Sequence, residues 1–167
     1  MDYIWTPWRY QYITTSGESC ECVFCSAGRS PEADRANFVV HRGTHNFVIL
    51  NRYPYTSGHV MVVPYAHVAD PEELPDETFA ELAELSRTAV RHLRDVYRPE
   101  GVNLGMNLGK SAGAGIAGHL HMHVLPRWTG DTNFMTVVGE TRVLPEDLEK
   151  TWERLTAAFG REKRGHT

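Results

Sequence analysis

Three histidines alternate with apolar residues at positions 119, 121 and 123. A neutral imidazole has a lone pair at physiological pH, because its free pKa lies near ~6.5, so it can attack phosphorus or bind a metal. If residues 119–125 form a strand, the three imidazoles share one face. The preceding residues 109–118 hold four glycines, which let backbone N–H groups approach an anion. The pattern favours attack on a phosphate; a metal site made of all three histidines and a purely structural row are the alternatives.

Three cysteines lie close together at positions 20, 22 and 25. An odd number in a chain without an export signal argues against a disulfide framework and leaves metal binding or redox chemistry open. Cys22 and Cys25 have the two-residue spacing of a zinc knuckle, which needs further ligands. A reduced metal-free pair and a redox dithiol are the alternatives. Cys20 is the alternative to Cys22 as the first cysteine of the pair.

The composition limits the class of protein. The 167 residues, 41% hydrophobic and 23% charged, are typical of one globular domain. No apolar run reaches the ~18 residues that a membrane helix needs, and the N-terminus lacks the pattern of an export signal, so a cytoplasmic location is expected. A net charge of −4 argues against a nucleic-acid-binding surface.

The pattern of apolar residues predicts strands around the histidines. Three β-rich runs at 38–41, 47–50 and 59–63 are joined by short connections, which predicts an antiparallel meander. Two further strands are predicted at 101–108 and 119–125.

Two helices are predicted from a three-to-four residue period. The first spans Asp76 to about Tyr97 with Asp76 as its N-cap. The second begins with Pro145 near its first turn, and its buried face consists of Leu148, Trp152, Leu155 and Phe159. This order predicts an α+β domain with a mainly antiparallel sheet.

The predicted organisation has three parts. Residues 1–15 form an aromatic N-terminal arm, residues 16–160 a single domain, and residues 161–167 a flexible tail. Within the domain, residues 16–36 are expected to be a cysteine-bearing loop that an external link must hold in place.

The motif His119-Leu-His-Met-His-Val-Leu125 resembles the signature of the histidine triad (HIT) family. Further matches occur at 50–54, 58–64 and 126–128, and the likeness covers about residues 5–155. Within the family, the chain is similar to the bacterial branch that includes diadenosine tetraphosphate phosphorylase and to the fragile histidine triad hydrolases. The resemblance implies a HIT-like fold, with a five-stranded sheet and two main helices. It also implies a homodimer in which the sheet continues from one subunit to the other and helix 76–97 lies at the contact.

The resemblance assigns the chemistry to the histidines. His121 is the expected nucleophile, attacking the α-phosphorus of a nucleoside phosphate to give a nucleotidyl-histidine intermediate that water or phosphate resolves. His123 stabilises charge on the phosphate, and His119 helps to fix the tautomer of its neighbour. His59 matches a position of the family motif and is expected to support the catalytic histidines without touching the substrate.

The resemblance also implies the substrate contacts. Asn51 is expected to bind the ribose hydroxyls, Ile49 and Leu50 to form part of an apolar slot for the base, and Asn107 to lie on the phosphate side. Gly115 departs from the family, which often has a hydroxyl or amide there for the leaving group. This departure leaves the choice between hydrolase and phosphorylase open, and both asparagines have the alternative reading of turn residues.

Many members of the family place a structural zinc between a cysteine pair, a histidine after the third strand and the first histidine of the motif. The matching residues are Cys22, Cys25, His67 and His119, so the resemblance implies a zinc that ties the cysteine loop to the histidine strand.

The expected function is therefore that of an enzyme cleaving the α-phosphate bond of dinucleoside polyphosphates, such as diadenosine tetraphosphate, or of related adenylates. Its partners are a purine nucleotide or dinucleoside polyphosphate and a second copy of the chain, with no nucleic acid and no membrane. The alternative is an AMP-binding, zinc-stabilised sensing or interaction module with little turnover.

Overall fold

A computed structural model of the chain describes residues 22–132 and 145–162. The predicted aromatic arm 1–15, Cys20 and the end of the predicted tail lie outside the described residues. Arg161 and Glu162, predicted as tail, belong to the last helix.

Five strands form one antiparallel sheet. They are β1 (Val39–Arg42), β2 (Asn46–Leu50), β3 (Val60–Pro64), β4 (Gly101–Gly105) and β5 (Met122–Arg127). The order across the sheet is β1-β2-β3-β5-β4, and each neighbouring pair is antiparallel. The predicted α+β class and the three-stranded meander are confirmed.

Four α-helices accompany the sheet in the described residues: α1 (Val23–Arg29), α2 (Asp34–Asn37), α3 (Asp76–Tyr97) and α4 (Leu148–Glu162). None of these helices is both long and apolar enough to cross a bilayer. The prediction of a loop over 16–36 is wrong from Val23 onward. Phe24 and Ala27 are buried, so this segment has apolar contacts of its own.

The long helix has the predicted length but not the predicted cap. Pro75 occupies the N-cap and Asp76 is in the first turn, where a carboxylate still interacts favourably with the helix dipole. The last helix begins at Leu148, three residues after Pro145. Asp147 accepts a 2.7 Å hydrogen bond from the Lys150 N–H, so a capping aspartate rather than the proline marks its start.

The two strands nearest the motif are shorter than predicted. β5 begins at Met122, so His119 and His121 precede the paired segment, and β4 ends at Gly105. The side chains of His119, Leu120 and His121 nevertheless still alternate between the two faces of the sheet. Leu120 lies in the core beneath the long helices, whereas the rings of His119 and His121 contact Phe24 on the other side.

The sheet separates two apolar clusters. One lies between the sheet and helices α3 and α4, and includes Val48, Leu50, Leu82, Leu93 and Leu155. The other lies on the opposite face beneath α1, and its members are Phe24, Ala27, Val39, Phe47, Ile49, Met61 and Val63. The long helices thus support one face of the sheet, and the histidines occupy the other.

Glu81 on α3 fixes the β1–β2 turn. Its carboxylate accepts hydrogen bonds from the backbone N–H groups of Thr44, His45 and Asn46 at 2.7–2.8 Å. It also accepts one from Asn46 Nδ2 at 2.9 Å. Burial alone raises the pKa of Glu81, but these hydrogen bonds outweigh it and the pKa is lowered. The ionised form therefore stabilises the fold.

Replacement of Glu81 by Gln should lower the free energy of unfolding by about 1–3 kcal/mol at pH 7, because an amide nitrogen cannot accept from the backbone donors. The pKa is depressed in the fold, so this stabilisation is fully present above the unfolded-state pKa of about 4.3. It is lost as the pH falls through the folded value. Urea unfolding from pH 7 to pH 3 should show the two proteins converging only below about pH 4.

Glu84→Gln is the matched control on the same helix. Glu84 pairs with Arg87 at the surface, where solvent screening leaves such a pair with little effect on stability. Equal unfolding energies for wild type and Glu81→Gln at pH 7 would refute the role given to Glu81.

Candidate active site and metal cluster

The fold brings the three motif histidines together. His123 lies on β5, where it pairs with Met61 on β3 and Gly105 on β4. His119 and His121 come directly before the strand, and the ring centroids of His121 and His123 are 4.9 Å apart. These three residues, His119 to His123, are named the histidine row below.

His121 is held in one tautomer. It is 6% exposed, and its Nδ1 lies 2.8 Å from the carbonyl oxygen of His119. Because a carbonyl oxygen only accepts, Nδ1 must carry the proton. The lone pair is therefore on Nε2, the atom that a nucleophile at this position would use. The expected help from His119 thus comes from its backbone carbonyl, not from its ring.

Burial keeps the histidine row uncharged. It lowers the pKa of His121, against the opposing effect of the hydrogen bond to the His119 carbonyl. It lowers the pKa of His123 to about 4, with a further contribution from the neighbouring His121. Both rings are neutral at pH 7, so the row offers a free nitrogen and N–H donors to a ligand.

His59 lies behind His123 and orients it. His59 Nε2 is 2.9 Å from His123 Nδ1, and the backbone N–H of Tyr55 donates to His59 Nδ1 at 3.2 Å. With Nδ1 occupied as an acceptor, a neutral His59 carries its proton on Nε2 and donates it to His123. His123 then carries its own proton on Nε2, available to an anion. This contact agrees with the supporting position expected for His59.

Phe24 packs against the other end of the histidine row. It is 3% exposed, and its ring centroid is 5.4 Å from that of His119 and 5.1 Å from that of His121. Sequence reasoning missed this contact. A single apolar residue between two cysteines is compatible with a buried position, but no local pattern identifies its contacts with the histidines.

Cys22, Cys25, His67 and His119 form a cluster whose ligand atoms lie within 4.8 Å of one another. Cys22 Sγ is 3.3 Å from His119 Nδ1, and Cys25 Sγ is 3.1 Å from His67 Nδ1. The two Nδ1 atoms are 3.1 Å apart. Among the described residues, His119 therefore groups with the cysteines and His67 rather than forming one metal site with His121 and His123.

The donor set fits a metal. His119 Nε2 lies 2.9 Å from the carbonyl oxygen of Pro64, so Nε2 carries the proton and Nδ1 has a free lone pair facing the cysteines. A backbone carbonyl on the second ring nitrogen is the usual support for a metal-bound histidine. Two sulfurs and two imidazoles complete a four-ligand set, so the cluster can bind a metal ion.

The residues expected around the base and ribose are only partly brought together. Ile49 is opposite Met61 on β3, on the same sheet face as His123. Leu50 is 1% exposed and lies in the core beneath α3. The prediction that Leu50 lines the same slot as Ile49 is therefore wrong, because adjacent strand residues point to opposite faces.

Asn51 lies close to the row and also shapes a turn. Its Nδ2 is 3.4 Å from His59 Nδ1, and its Oδ1 accepts a hydrogen bond from the Tyr53 N–H at 2.9 Å. Asn107 Nδ2 lies 3.5 Å from the carbonyl oxygen of Gly113, which links the end of β4 to the glycine-rich loop. Gly115 is partly buried in that loop and offers only backbone groups.

Comparison with known proteins identifies the family. Residues 32–130 match the model of the HIT domain. The chain is 39% identical over 165 residues to an AP-4-A phosphorylase of Mycobacterium tuberculosis, with 95% of this chain and 85% of the relative covered. It is 32% identical over 133 residues to protein hit of Bacillus subtilis, covering 77% of this chain and 87% of the relative.

Solved structures share the fold. A Zn-bound histidine triad family protein from Mycobacterium smegmatis is 28% identical with a TM-score of 0.69, covering 87% of this chain and 98% of that one. The NitFhit protein of C. elegans is 26% identical with a TM-score of 0.60, covering 75% of this chain and 27% of that one. The HIT-like fold is confirmed, and the chain belongs to the HIT family as an enzyme related to AP-4-A phosphorylase.

Proposed function

We propose that the protein cleaves dinucleoside polyphosphates, such as diadenosine tetraphosphate, at the α-phosphorus through a nucleotidyl-histidine intermediate. The observation that carries the proposal is the hydrogen bond from His121 Nδ1–H to the His119 carbonyl, which leaves a lone pair on Nε2 of a neutral, buried imidazole. The relationship to AP-4-A phosphorylase supports the substrate class.

The reaction has two displacements. His121 Nε2 forms a bond to the α-phosphorus, and the bond from that phosphorus to the bridging oxygen breaks, releasing the nucleoside polyphosphate. In the second step an oxygen of water or of inorganic phosphate attacks the same phosphorus, and the P–N bond breaks to restore His121. From diadenosine tetraphosphate, water gives AMP and ATP, whereas phosphate gives ADP and ATP.

His123 and its partner stabilise the charge that develops. The proposed His123 Nε2–H donates to a non-bridging oxygen of the α-phosphate, and His59 holds the opposite nitrogen through its 2.9 Å contact. A donor fixed before the substrate arrives costs no reorganisation during the reaction. Asn51, Ile49 and Asn107 are assigned to the bound nucleotide, and Gly115 contributes backbone groups only.

His121→Asn should lower kcat for diadenosine tetraphosphate by at least about 1,000-fold, because asparagine retains a polar side chain but cannot form the covalent adduct. The measurement is product analysis with and without inorganic phosphate, which also identifies the acceptor. Mass spectrometry after an alkaline quench should detect a nucleotidyl adduct on wild type and none on the variant.

His45→Asn is the matched control and should retain full turnover, since His45 lies in the β1–β2 turn, where its backbone N–H donates to Glu81. Unchanged turnover in His121→Asn would refute the proposal. Tight AMP binding by calorimetry without product from any substrate would support the sensing-module alternative.

We further propose that the metal in the cluster is zinc and that its role is structural. When bound, zinc neutralises the thiolates and links α1, the loop after β3 and the histidine row. The related Zn-bound structure supports this assignment, as does a closed set of four protein ligands.

Purified wild type should contain about one zinc per chain, and Cys25→Ala should contain almost none, because a four-ligand structural site loses its affinity with one ligand removed. Elemental analysis measures the metal. The midpoint temperature of thermal unfolding should fall by about 10 °C in the variant and in wild type treated with a chelator, since metal binding contributes folding energy. Ser26→Ala, on the same helix, should keep both the zinc and the stability; a zinc-free wild type of unchanged stability would contradict the assignment.

The proposed assembly is a homodimer in which β4 pairs with a second copy. β4 is an edge strand, with Leu104 49% exposed, and edge strands present backbone groups that another chain can pair with. Such a contact is self-complementary about a twofold axis.

Light scattering should therefore give the mass of a dimer for wild type, and Leu104→Lys should give a monomer because it brings two like charges close to the twofold axis. Lys150→Arg, a conservative change on the exposed surface of α4, is the control and should remain dimeric. A monomeric wild type would rule out the assembly.

A further inference from the structure

Arg42, the last residue of β1, holds the C-terminal end of α1. Its Nη1 donates to the carbonyl oxygen of Gly28 at 2.8 Å, and its Nη2 donates to that of Ala27 at 2.6 Å. Both carbonyls lie in the last turn of the helix, where no further helical N–H groups follow to bond them. A cation also interacts favourably with the negative end of a helix. One side chain from the sheet therefore closes this end of α1.

The guanidinium of Arg42 is itself fixed. The carboxylate of Asp34 accepts hydrogen bonds from Arg42 Nε and Nη2 at 2.7–3.2 Å, and the Arg42 side chain is only 20% exposed. The guanidinium carbon lies 5.8 Å from the centroid of the Phe47 ring, a distance at which a cation is attracted to an aromatic face. A carboxylate, two carbonyls and a ring thus hold Arg42 in one position.

The same group of side chains reaches the segment that carries His67. Tyr65 stacks on Phe47 with ring centroids 5.2 Å apart. A Cβ at Gly28 would lie 3.2 Å from Tyr65 Cδ1, so the last turn of α1 lies directly against this tyrosine. Tyr65 precedes His67 by two residues. Arg42 and its neighbours therefore lie between the helix of the cysteines and the loop of a histidine of the metal cluster.

α1 is too short to keep its shape alone. It has seven residues, and an isolated helix of that length is not stable in water. Its buried side chains are Phe24 and Ala27, and Arg42 adds hydrogen bonds and charge to these apolar contacts. Cys22 is the N-cap of α1 and Cys25 lies in its first turn. The positions of both cysteines therefore depend on contacts between α1 and the sheet.

We propose that Arg42 is a positioning residue of the metal cluster: by closing α1 it keeps both cysteines directed at the two histidines of the cluster before a metal binds. The inference rests on the proposed zinc and extends it to a residue that does not contact the metal. Zinc then meets ligands already in place and does not have to order the helix, so its affinity is higher.

The test is the zinc affinity of Arg42→Lys. Lysine keeps the positive charge beside Asp34 but has a single nitrogen, so it cannot bond the carboxylate and both carbonyls of α1 in the same geometry. Titration of the metal-free protein with zinc, in competition with a chromophoric chelator, should give a dissociation constant about 10–100-fold above that of wild type. With zinc in excess, kcat for diadenosine tetraphosphate should return to the wild-type value, because the bound metal then holds α1.

Arg35→Lys is the matched control. Arg35 lies on α2 and pairs with Glu149 and Glu153 of α4, so the same substitution there should leave the zinc affinity unchanged. Circular dichroism identifies a temperature at which the metal-free proteins are folded, and the titrations are made there. A role of Arg42 in fold stability alone would lower the midpoint of thermal unfolding and leave the zinc affinity of the folded protein as it is.

Asp34→Asn is a second, milder variant, since it leaves Arg42 its bonds to α1 and removes only the charge of its partner. Its zinc affinity should lie between those of wild type and Arg42→Lys. An affinity equal to that of wild type in both variants, or an equal loss in Arg35→Lys, would overturn the inference. So would a kcat of Arg42→Lys that stays low with zinc bound, because Arg42 would then act on the histidine row by another route.

Failure of the proposed function gives a different result. A wild type that binds no zinc refutes the proposed metal and the role of Arg42 with it. A wild type that binds zinc but has no turnover refutes the proposed reaction only, because the comparison of zinc affinities does not depend on activity.

Discussion

The position of His119 is the constraint on which the rest of the site depends. Its Nε2 is bonded to the Pro64 carbonyl at the end of β3, and its Nδ1 is directed at the cysteines of α1 and its cap. Its own carbonyl accepts the proton of His121 Nδ1. One residue thus joins the sheet, the metal cluster and the proposed nucleophile. A displacement of the cluster therefore moves the His119 carbonyl and, with it, the hydrogen-bonded ring of His121. A metal bound by the cluster would therefore hold the His119 carbonyl, and with it His121, in place without taking part in the chemistry.

The neutrality of the histidine row follows from burial rather than from a carboxylate partner. Desolvation lowers the pKa of His121 and of His123, so neither ring is a cation at pH 7. In the proposed reaction, a polyphosphate would then be bound by oriented N–H dipoles, and the nucleophile would not need to lose a proton before it attacks. Charged donors would bind the ground-state phosphate more strongly, whereas fixed neutral donors act mainly on charge that develops during the reaction.

The sequence predicted the elements with strong periodicity and the residues whose spacing has a chemical meaning. Helix Asp76–Tyr97 was predicted at both ends, and the histidine motif together with the family resemblance identified the metal cluster. Leu50 was misassigned although strand alternation places it on the face opposite Ile49. The caps of α3 and α4 were misassigned because cap geometry depends on where the backbone bends. Phe24 and Glu81 were missed because their roles arise from contacts across long sequence separations, such as Glu81 with the turn at 44–46. No local pattern encodes such contacts.

The departure at Gly115 is consistent with a polyphosphate as the leaving group. A glycine cannot donate a proton or a side-chain hydrogen bond to the departing oxygen, so the leaving group must carry its own charge. The terminal oxygen of a nucleoside polyphosphate does so readily, since phosphate groups lose their last proton at about pH 6. An amine or an alcohol leaves poorly without protonation. Within the proposed function, the departure at Gly115 therefore favours dinucleoside polyphosphates over phosphoramidates and simple esters as substrates.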